Sequence, residues 1–276
     1  MQFCLVILEL LQKLCQWYII EYKRLNKEAI FVIVGLDMGG THVDAVMIKN
    51  GTIINTSKRP INQENLFESI WTTLQDLLSS NEISNIKRIN LSTTVSTNAI
   101  VEGNISPVAM FIQSGPGLPH HFLACGDENL FLSGYIDHRG RVVQDLDARE
   151  VKNSIEMLKN KNINTCGVVT KFSTRNPSHE LEIKKILQRD MTHITMGHTL
   201  SGKLNFPRRI HTTYLNSAVY DTFNRFYENL QEALKEKGLD HIPIHMLKAD
   251  GGTMRIQEAK RRPVETILSE IGRAHV

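Results

Sequence analysis

Two short glycine-rich turns, each following an apolar run, constrain this sequence most. The run 31–36 leads into Asp37-Met38-Gly39-Gly40-Thr41, and about 210 residues later the run 242–247 leads into Asp250-Gly251-Gly252-Thr253. A continuous apolar run predicts a strand buried on both faces. Glycines let the backbone approach a ligand closely, and backbone N–H groups with a threonine hydroxyl suit phosphate oxygens. One such turn is equally compatible with a plain hairpin, whereas two favour a shared phosphate site.

The order of the predicted elements indicates an α/β fold. Strands are predicted at 32–37, 43–48 and 52–56, and the Asn50-Gly51 pair predicts a tight hairpin between the second and third. A helix and a fourth strand at 86–91 follow, and helices and strands alternate thereafter. The first three strands should form an antiparallel meander. This start differs from that of the dinucleotide-binding fold, which begins strand-helix-strand.

Charge and missing signatures exclude several classes of protein. Lysine and arginine total 32 against 29 acidic residues, a net charge of +3, which is too balanced for a nucleic-acid-binding surface. The G-x-G-x-x-G and G-x-x-x-x-G-K-[ST] fingerprints are absent. The apolar stretch 3–20 is interrupted by polar and charged residues and lacks a signal-peptide layout, so a membrane partner is not expected. Four scattered cysteines without a C-x-x-C pair are typical of a reducing compartment, and we expect a cytoplasmic protein.

Four further stretches carry motifs in a characteristic order. They are S-T-T-V-S-T-N-A-I-V-E at 92–102, F-S-T-R-N-P-S-H-E at 172–180, R-I-H-T-T-Y-L-N-S at 209–217 and P-V-E-T-I-L-S at 263–269. Together with the two glycine turns, their order and spacing over 31–269 resembles the hydantoinase/oxoprolinase family of the actin-like ATPase superfamily. The sequence departs from the family pattern at Ser92, where glycine is usual, and at Ser217, where alanine is frequent.

The resemblance implies an α/β fold with an actin-like ATPase, or ribonuclease H-like, lobe that has the antiparallel three-strand start, plus the beginning of a second lobe. It divides the chain into an uncertain leader at 1–29, the family's N-terminal domain at 30–205 and a truncated second, hydantoinase A domain at 206–269. Residues 270–276 resemble a translated sequencing adapter, so we expect a non-native tail on a C-terminally truncated fragment.

The implied activity is ATP-dependent hydrolytic ring opening of a cyclic amide, a hydantoin or 5-oxoproline, through a phosphorylated carbonyl intermediate. The implied cofactors are ATP and Mg²⁺. Asp37 and Asp250 would be catalytic and would hold Mg²⁺ through water, so their carboxylates should face one cleft within roughly 10 Å of each other. The phosphate-binding residues would be Gly39, Gly40, Thr41, Gly251, Gly252 and Thr253.

Other polar residues have weaker signals. Thr94, Thr97 and Asn98 follow the fourth strand, where α/β folds place ligands, so they are candidate substrate contacts. A helix-cap and turn network is their alternative role. His179-Glu180 lacks the second histidine of H-E-x-x-H, which favours a helix-start or packing role over a metal or catalytic one.

Three alternatives to ring opening stay open on the sequence alone. The same family includes ATP-dependent ketone carboxylase subunits, and a non-catalytic nucleotide-binding subunit would carry the same loops. A sugar or acetate kinase of the wider superfamily is a third possibility. The resemblance also implies a partner, a second hydantoinase-type subunit or domain, beside the small cyclic substrate.

Overall fold

The computed structural model describes residues 32–62, 66–77, 86–200 and 205–269. The predicted leader at 1–29 and the predicted tail at 270–276 lie outside these ranges. The strands within these ranges are β1 Val32–Met38, β2 His42–Lys49, β3 Thr52–Pro60, β4 Ile86–Thr93, β5 Val108–Gln113, β6 Glu128–Phe131, β7 Tyr135–Ile136, β8 Val142–Gln144, β9 Thr165–Thr170, β10 His193–Met196, β11 Ile244–Leu247 and β12 Thr253–Arg255. The helices are α1 Leu66–Leu77, α2 Val95–Val101, α3 Ala148–Asn160, α4 Ser178–Leu187, α5 Gly197–Leu200, α6 Phe206–Glu236 and α7 Ile256–Arg261.

The chain packs as two compact units. The first unit comprises the described residues through Glu102 together with those from Thr222 onward, and the second comprises Gly103–Asp221. The boundary between 205 and 206 was drawn from sequence motifs, and it stays a prediction. Within the described ranges, no helix combines the length and apolarity that crossing a membrane requires.

The first unit is built on a six-stranded sheet in the order β12-β11-β4-β1-β2-β3. β1 pairs with β2, and β2 with β3, in antiparallel register, so the predicted meander is confirmed. The predicted hairpin is confirmed as well. Asn50 and Gly51 have φ values of 50° and 91°, the left-handed pair that matches the twist of a two-residue hairpin. β4 then runs parallel to β1, and β11 runs parallel to β4.

Helices cover this sheet with apolar side chains. Ile70, Leu74 and Leu77 of α1 recur on one helical face, and each is at most 2% exposed. Burying each of them contributes about 1.5–3 kcal/mol to stability. Phe223 and Leu230 of α6 belong to the same core as the inward side chains of β1, β4 and β11. These side chains hold the sheet and its helices together as one core.

The second unit is built on a fully parallel four-stranded sheet in the order β10-β9-β5-β6. α3 and α4 pack on it through a core that includes Val151, Leu158 and Ile183. A second core joins β5 to Phe206 and Ile210 at the start of α6. β5 and β9 are buried along their whole length, as expected for strands covered on both faces.

Candidate functional site

The topology of the first unit brings the two glycine turns to one edge of its sheet. β1, β4 and β11 are parallel neighbours, so their carboxyl ends lie at the same edge. Asp37 is level with Ser92 in β4, and Leu91 is level with Met246 in β11. Neighbouring strands lie about 4.8 Å apart, which puts roughly 10 Å between β1 and β11. Both aspartate turns thus start at this edge, and the separation of the two carboxylates stays a prediction.

The first turn joins β1 to β2 in a tight reversal. Asp37 is the second-last residue of β1, half-buried and paired in register with Asp44. The Gly39 N–H donates to the His42 carbonyl at 3.1 Å. The Thr41 hydroxyl, which is exposed, lies 3.0 Å from Nδ1 of His42. The turn therefore places a carboxylate and a solvent-facing hydroxyl together at the end of the strand.

The turn after β4 is tied to this first turn by hydrogen bonds. The Thr94 N–H and hydroxyl both donate to the Met38 carbonyl, at 3.2 and 3.4 Å. The Asn98 amide donates to the Thr94 hydroxyl at 3.2 Å. A Cβ added to Gly40 would lie 3.7 Å from the Asn98 amide nitrogen, so Asn98 lies against the first turn.

This network bears on the alternative role of Thr94, Thr97 and Asn98, which is a helix-cap and turn network. Thr94 occupies the N-cap position of α2, but its side chain makes no capping hydrogen bond. It bonds to the first turn instead, and the Thr97 hydroxyl accepts from the Leu268 N–H at 3.0 Å. The three side chains form a turn network at the sheet edge, and their contact with substrate stays a prediction.

The second turn, between β11 and β12, is held by its own backbone and by a lysine. The Lys248 N–H donates to the Gly252 carbonyl at 2.9 Å, and Gly251 adopts a φ of 81° to close the turn. The Asp250 carboxylate accepts from the Gly252 N–H at 2.9 Å and from the Lys248 ammonium at 3.0 Å. These donors hold the pKa of Asp250 below its usual value, the Gly252 N–H first. Asp250 is therefore held in its ionised form, with its side chain 66% exposed.

The phosphate cradle expected from the glycines is not preformed. The N–H groups of Gly39, Gly251 and Gly252 each donate within their own turn. The Thr253 hydroxyl accepts from the Arg88 guanidinium at 3.0 Å, a partner on β4 that no sequence signal indicated. Phosphate binding by these groups requires that they exchange internal hydrogen bonds for phosphate oxygens. Their phosphate-binding role stays a prediction.

The segment 263–269 links the turns after β4 and β11. The Ala249 N–H donates to the Glu265 carbonyl at 3.0 Å, and the Lys248 ammonium lies 3.1 Å from the Glu265 carboxylate. Ser96 and Thr266 share a hydroxyl hydrogen bond of 3.0 Å. The sequence does not indicate these contacts, since 263–269 is identifiable there only as a family motif. The motif also has a local structural purpose, since it braces the sheet edge.

The residues at this edge fit a hydrated Mg²⁺ ion. Asp37 lies near the end of β1 and Asp250 follows β11, the two parallel strands that flank β4, and carboxylate oxygens are hard ligands that Mg²⁺ prefers. Among the described residues there is no group of three or more His, Cys, Asp or Glu side chains that could hold a metal by themselves. Mg²⁺ usually keeps several waters and is held by one or two carboxylates plus substrate phosphates, so Asp37 and Asp250 are the residues that would hold it, and this role stays a prediction.

A second polar cluster lies in the second unit, around the predicted His179-Glu180 pair. Glu180 is fully buried, and its carboxylate accepts from the Thr170 N–H at 3.0 Å and from the backbone and ring of His198 at 3.1 and 2.5 Å. His179 donates through Nδ1 to the side-chain oxygen of Gln113 at 2.8 Å. Both residues begin α4 and join it to strand ends. These contacts support the helix-start and packing role.

Comparison with known families assigns most of the chain. The family described as "Hydantoinase/oxoprolinase N-terminal region" matches residues 33–191, and the family described as "Hydantoinase/oxoprolinase" matches residues 209–270. The two matches cover both glycine turns and every motif singled out above.

Two solved structures share the fold. The nucleotide-free structure of acetone carboxylase is 15% identical and has a TM-score of 0.72, and the matched region covers 86% of this chain and 39% of that chain. The ATP-dependent caprolactamase from Pseudomonas jessenii is 19% identical and has a TM-score of 0.66, and the matched region covers 88% of this chain and 39% of that chain. An uncharacterized protein of Methanocaldococcus jannaschii is 23% identical over 136 residues, which are 49% of this chain and 20% of that protein. The chain thus spans well under half the length of these proteins.

Proposed function

Because the chain belongs to the hydantoinase/oxoprolinase family, we propose that the full-length protein couples ATP to the hydrolytic opening of a cyclic amide, a hydantoin or 5-oxoproline. The observation that carries the proposal is the convergence of both aspartate turns on one sheet edge, at the carboxyl ends of β1 and β11. Ligands of α/β folds bind at such edges.

The chemistry explains why ATP is needed. The carbonyl of a cyclic amide is a poor electrophile, and ATP with Mg²⁺ would supply a phosphoryl group for its oxygen in a form whose charge is neutralised. The transfer would release ADP and leave an O-phosphorylated imidate. One water would add to its carbon, and the ring C–N bond would break as the nitrogen takes a proton, which leaves an acyl phosphate. A second water would hydrolyse the acyl phosphate to the carboxylate and inorganic phosphate. Catalysis of phosphoryl transfer is mainly positioning and charge stabilisation, which rigid strand ends provide.

The residues of this chain have distinct proposed roles in that step. Asp37 and Asp250 would hold Mg²⁺ through water and orient the attacking group. Thr41 is exposed at the first turn and would bind a phosphate oxygen directly. Lys248 lies between the carboxylates of Asp250 and Glu265, so its ammonium places a positive charge beside the second turn. Thr94 and Asn98 would keep the first turn in place for the substrate.

The second candidate function is ATP-dependent ketone carboxylation. The likeness to acetone carboxylase, at a TM-score of 0.72, favours it. The likeness to caprolactamase, whose name is that of a cyclic-amide enzyme, favours ring opening. Both likenesses concern the fold, and the shared step is phosphoryl transfer to an oxygen. In either case we propose that a second hydantoinase-type subunit or domain completes the activity.

The test is phosphate release from ATP by the full-length protein with each class of substrate. Ring opening predicts that hydantoin or 5-oxoproline stimulates turnover and that an acyclic amino acid product accumulates. Stimulation only by a ketone with bicarbonate would support the carboxylase instead, and phosphorylation of a sugar alcohol would support a kinase. Nucleotide binding without turnover under every condition would contradict an enzymatic role and support a binding subunit.

A further inference from the structure

The second unit has a sheet edge of the kind at which α/β folds bind ligands. Its strands are all parallel and lie in the order β10-β9-β5-β6. The chain passes from β5 to β6 on one side and later returns to place β9 on the other side of β5. The carboxyl ends of β5 and β9 therefore diverge at a topological switch point, which is where open parallel sheets form binding crevices.

Buried hydroxyl groups without partners gather at this switch point. The hydroxyl oxygens of Thr170, Ser173 and Thr174 are shielded from solvent, and none has a hydrogen-bond partner within the described protein. Thr170 is 0% exposed and Ser173 is 1% exposed. Most buried polar side chains are hydrogen-bonded, so three orphaned hydroxyls within five residues point to a partner outside the chain.

The backbone that carries these hydroxyls is held in place and strained. Phe172 has a φ of 63°, which is uncommon for an aromatic residue. The Lys171 N–H donates to the Gln113 carbonyl at 2.9 Å, and the Arg175 N–H donates to the Phe172 carbonyl at 2.8 Å. The turn 171–175 is thus fixed to the end of β5. Since Phe172 and Thr174 are only half-buried, this turn is the wall between the hydroxyls and solvent.

The buried charges beside the hydroxyls are already compensated. Glu180 accepts three hydrogen bonds, and the Arg209 guanidinium, which interacts electrostatically with Glu180, donates to the Thr170 carbonyl at 3.0 Å. His179 is hydrogen-bonded to Gln113, and burial lowers its pKa, so its ring is neutral. The remaining charges of the turn are Lys171, whose ammonium donates to the Pro116 carbonyl, and the exposed Arg175. Burying a charged ligand among the paired groups would be unfavourable. A small uncharged ligand fits.

We propose that the carboxyl ends of β5 and β9 bind a small uncharged carbonyl compound, whose oxygen accepts hydrogen bonds from the hydroxyls of Thr170 and Ser173. The existence of the site is argued from these orphaned hydroxyls at the switch point. The choice of a carbonyl compound, a lactam or a ketone, rests on the proposed function.

The test is direct binding to the full chain without nucleotide. Ligand-observed NMR would be recorded with 2-pyrrolidinone, hydantoin and acetone as separate probes. We expect binding of at least one probe, weakened about tenfold in the double variant Thr170→Val, Ser173→Ala, since each loses one hydrogen bond to the ligand. Ser178→Ala removes an exposed hydroxyl nearby and is the matched control, which should bind as the wild type does.

Several outcomes would overturn this site. The first is that none of the three probes binds, which would mean that only an ordered water pairs with the hydroxyls. The second is that the double variant and the wild type bind a probe equally well. If the double variant does not fold, judged by circular dichroism, Ser173→Ala alone carries the test. Binding is measured without ATP, so a failure of ATP turnover in the full-length protein would refute the proposed function and leave this result standing.

Discussion

Replacing Glu180 with glutamine should destabilise the second unit strongly. The carboxylate is fully buried and serves three donors, the Thr170 N–H and the N–H and ring nitrogen of His198. A glutamine amide has one acceptor oxygen and one NH₂ group, so in either orientation at least one of these donors faces another donor. The change also leaves Arg209, 1% exposed, without its nearby carboxylate charge. Breaking a buried charge pair on one side costs about 3–5 kcal/mol, a large share of a typical folding free energy.

The loss is measured by urea unfolding followed by circular dichroism, and located by amide hydrogen exchange at Thr170 and His198. Glu182→Gln, an exposed change on the same helix, is the control and should stay within about 0.5 kcal/mol of the wild type. If Glu180→Gln also unfolds within about 0.5 kcal/mol of the wild type, Glu180 does not hold the ends of β9 and β10 together, and the reasoning is wrong.

Two other perturbations have expected outcomes. Burial lowers the pKa of His193 and of His245 to about 4. Because the unfolded chain therefore takes up protons first as the pH falls, stability measured by thermal unfolding should decrease from about pH 6.5 to pH 4. A flat stability profile for the wild type, or an unchanged slope in His193→Gln, would contradict this. Lys248→Met removes an ammonium that lowers the pKa of Asp250, so the carboxyl resonance of Asp250 should titrate at a higher pH in NMR spectra of the variant. An unshifted titration would mean that the Gly252 N–H alone sets it.

Local sequence signals predicted the elements that depend on near neighbours. The Asn50-Gly51 pair predicts the hairpin because both residues tolerate positive φ. The apolar run 31–36 predicts a buried strand, and β1 is buried along nearly its whole length. The order of the motifs identified the family, and hydrophobic periodicity alone could not have done so.

The elements that depend on distant partners could not be predicted in the same way. The adjacency of β11 and β4 joins strands about 150 residues apart, and nothing in either strand encodes its neighbour. The end of β9 at Thr170 is a further case, because Lys171–Ser173 form a turn although Phe172 is of a residue type common in strands. The internal hydrogen bonds of Gly251 and Gly252 could not be predicted either. A glycine turn that binds phosphate and a glycine turn that closes a hairpin can have the same sequence.

The central claim is that the sheet edge formed by β1, β4 and β11 carries out ATP-dependent chemistry, and one variant tests it most directly. Asp37→Ala in the full-length protein should keep its fold by circular dichroism, because Asp37 is half-buried at a strand end outside the apolar core. Substrate-dependent phosphate release should fall by about 10²–10³, the loss expected when transition-state charge stabilisation is removed. Asp76→Ala, which removes a surface ion pair with Arg59 in the same unit, should retain turnover. Wild-type turnover in Asp37→Ala would contradict the account.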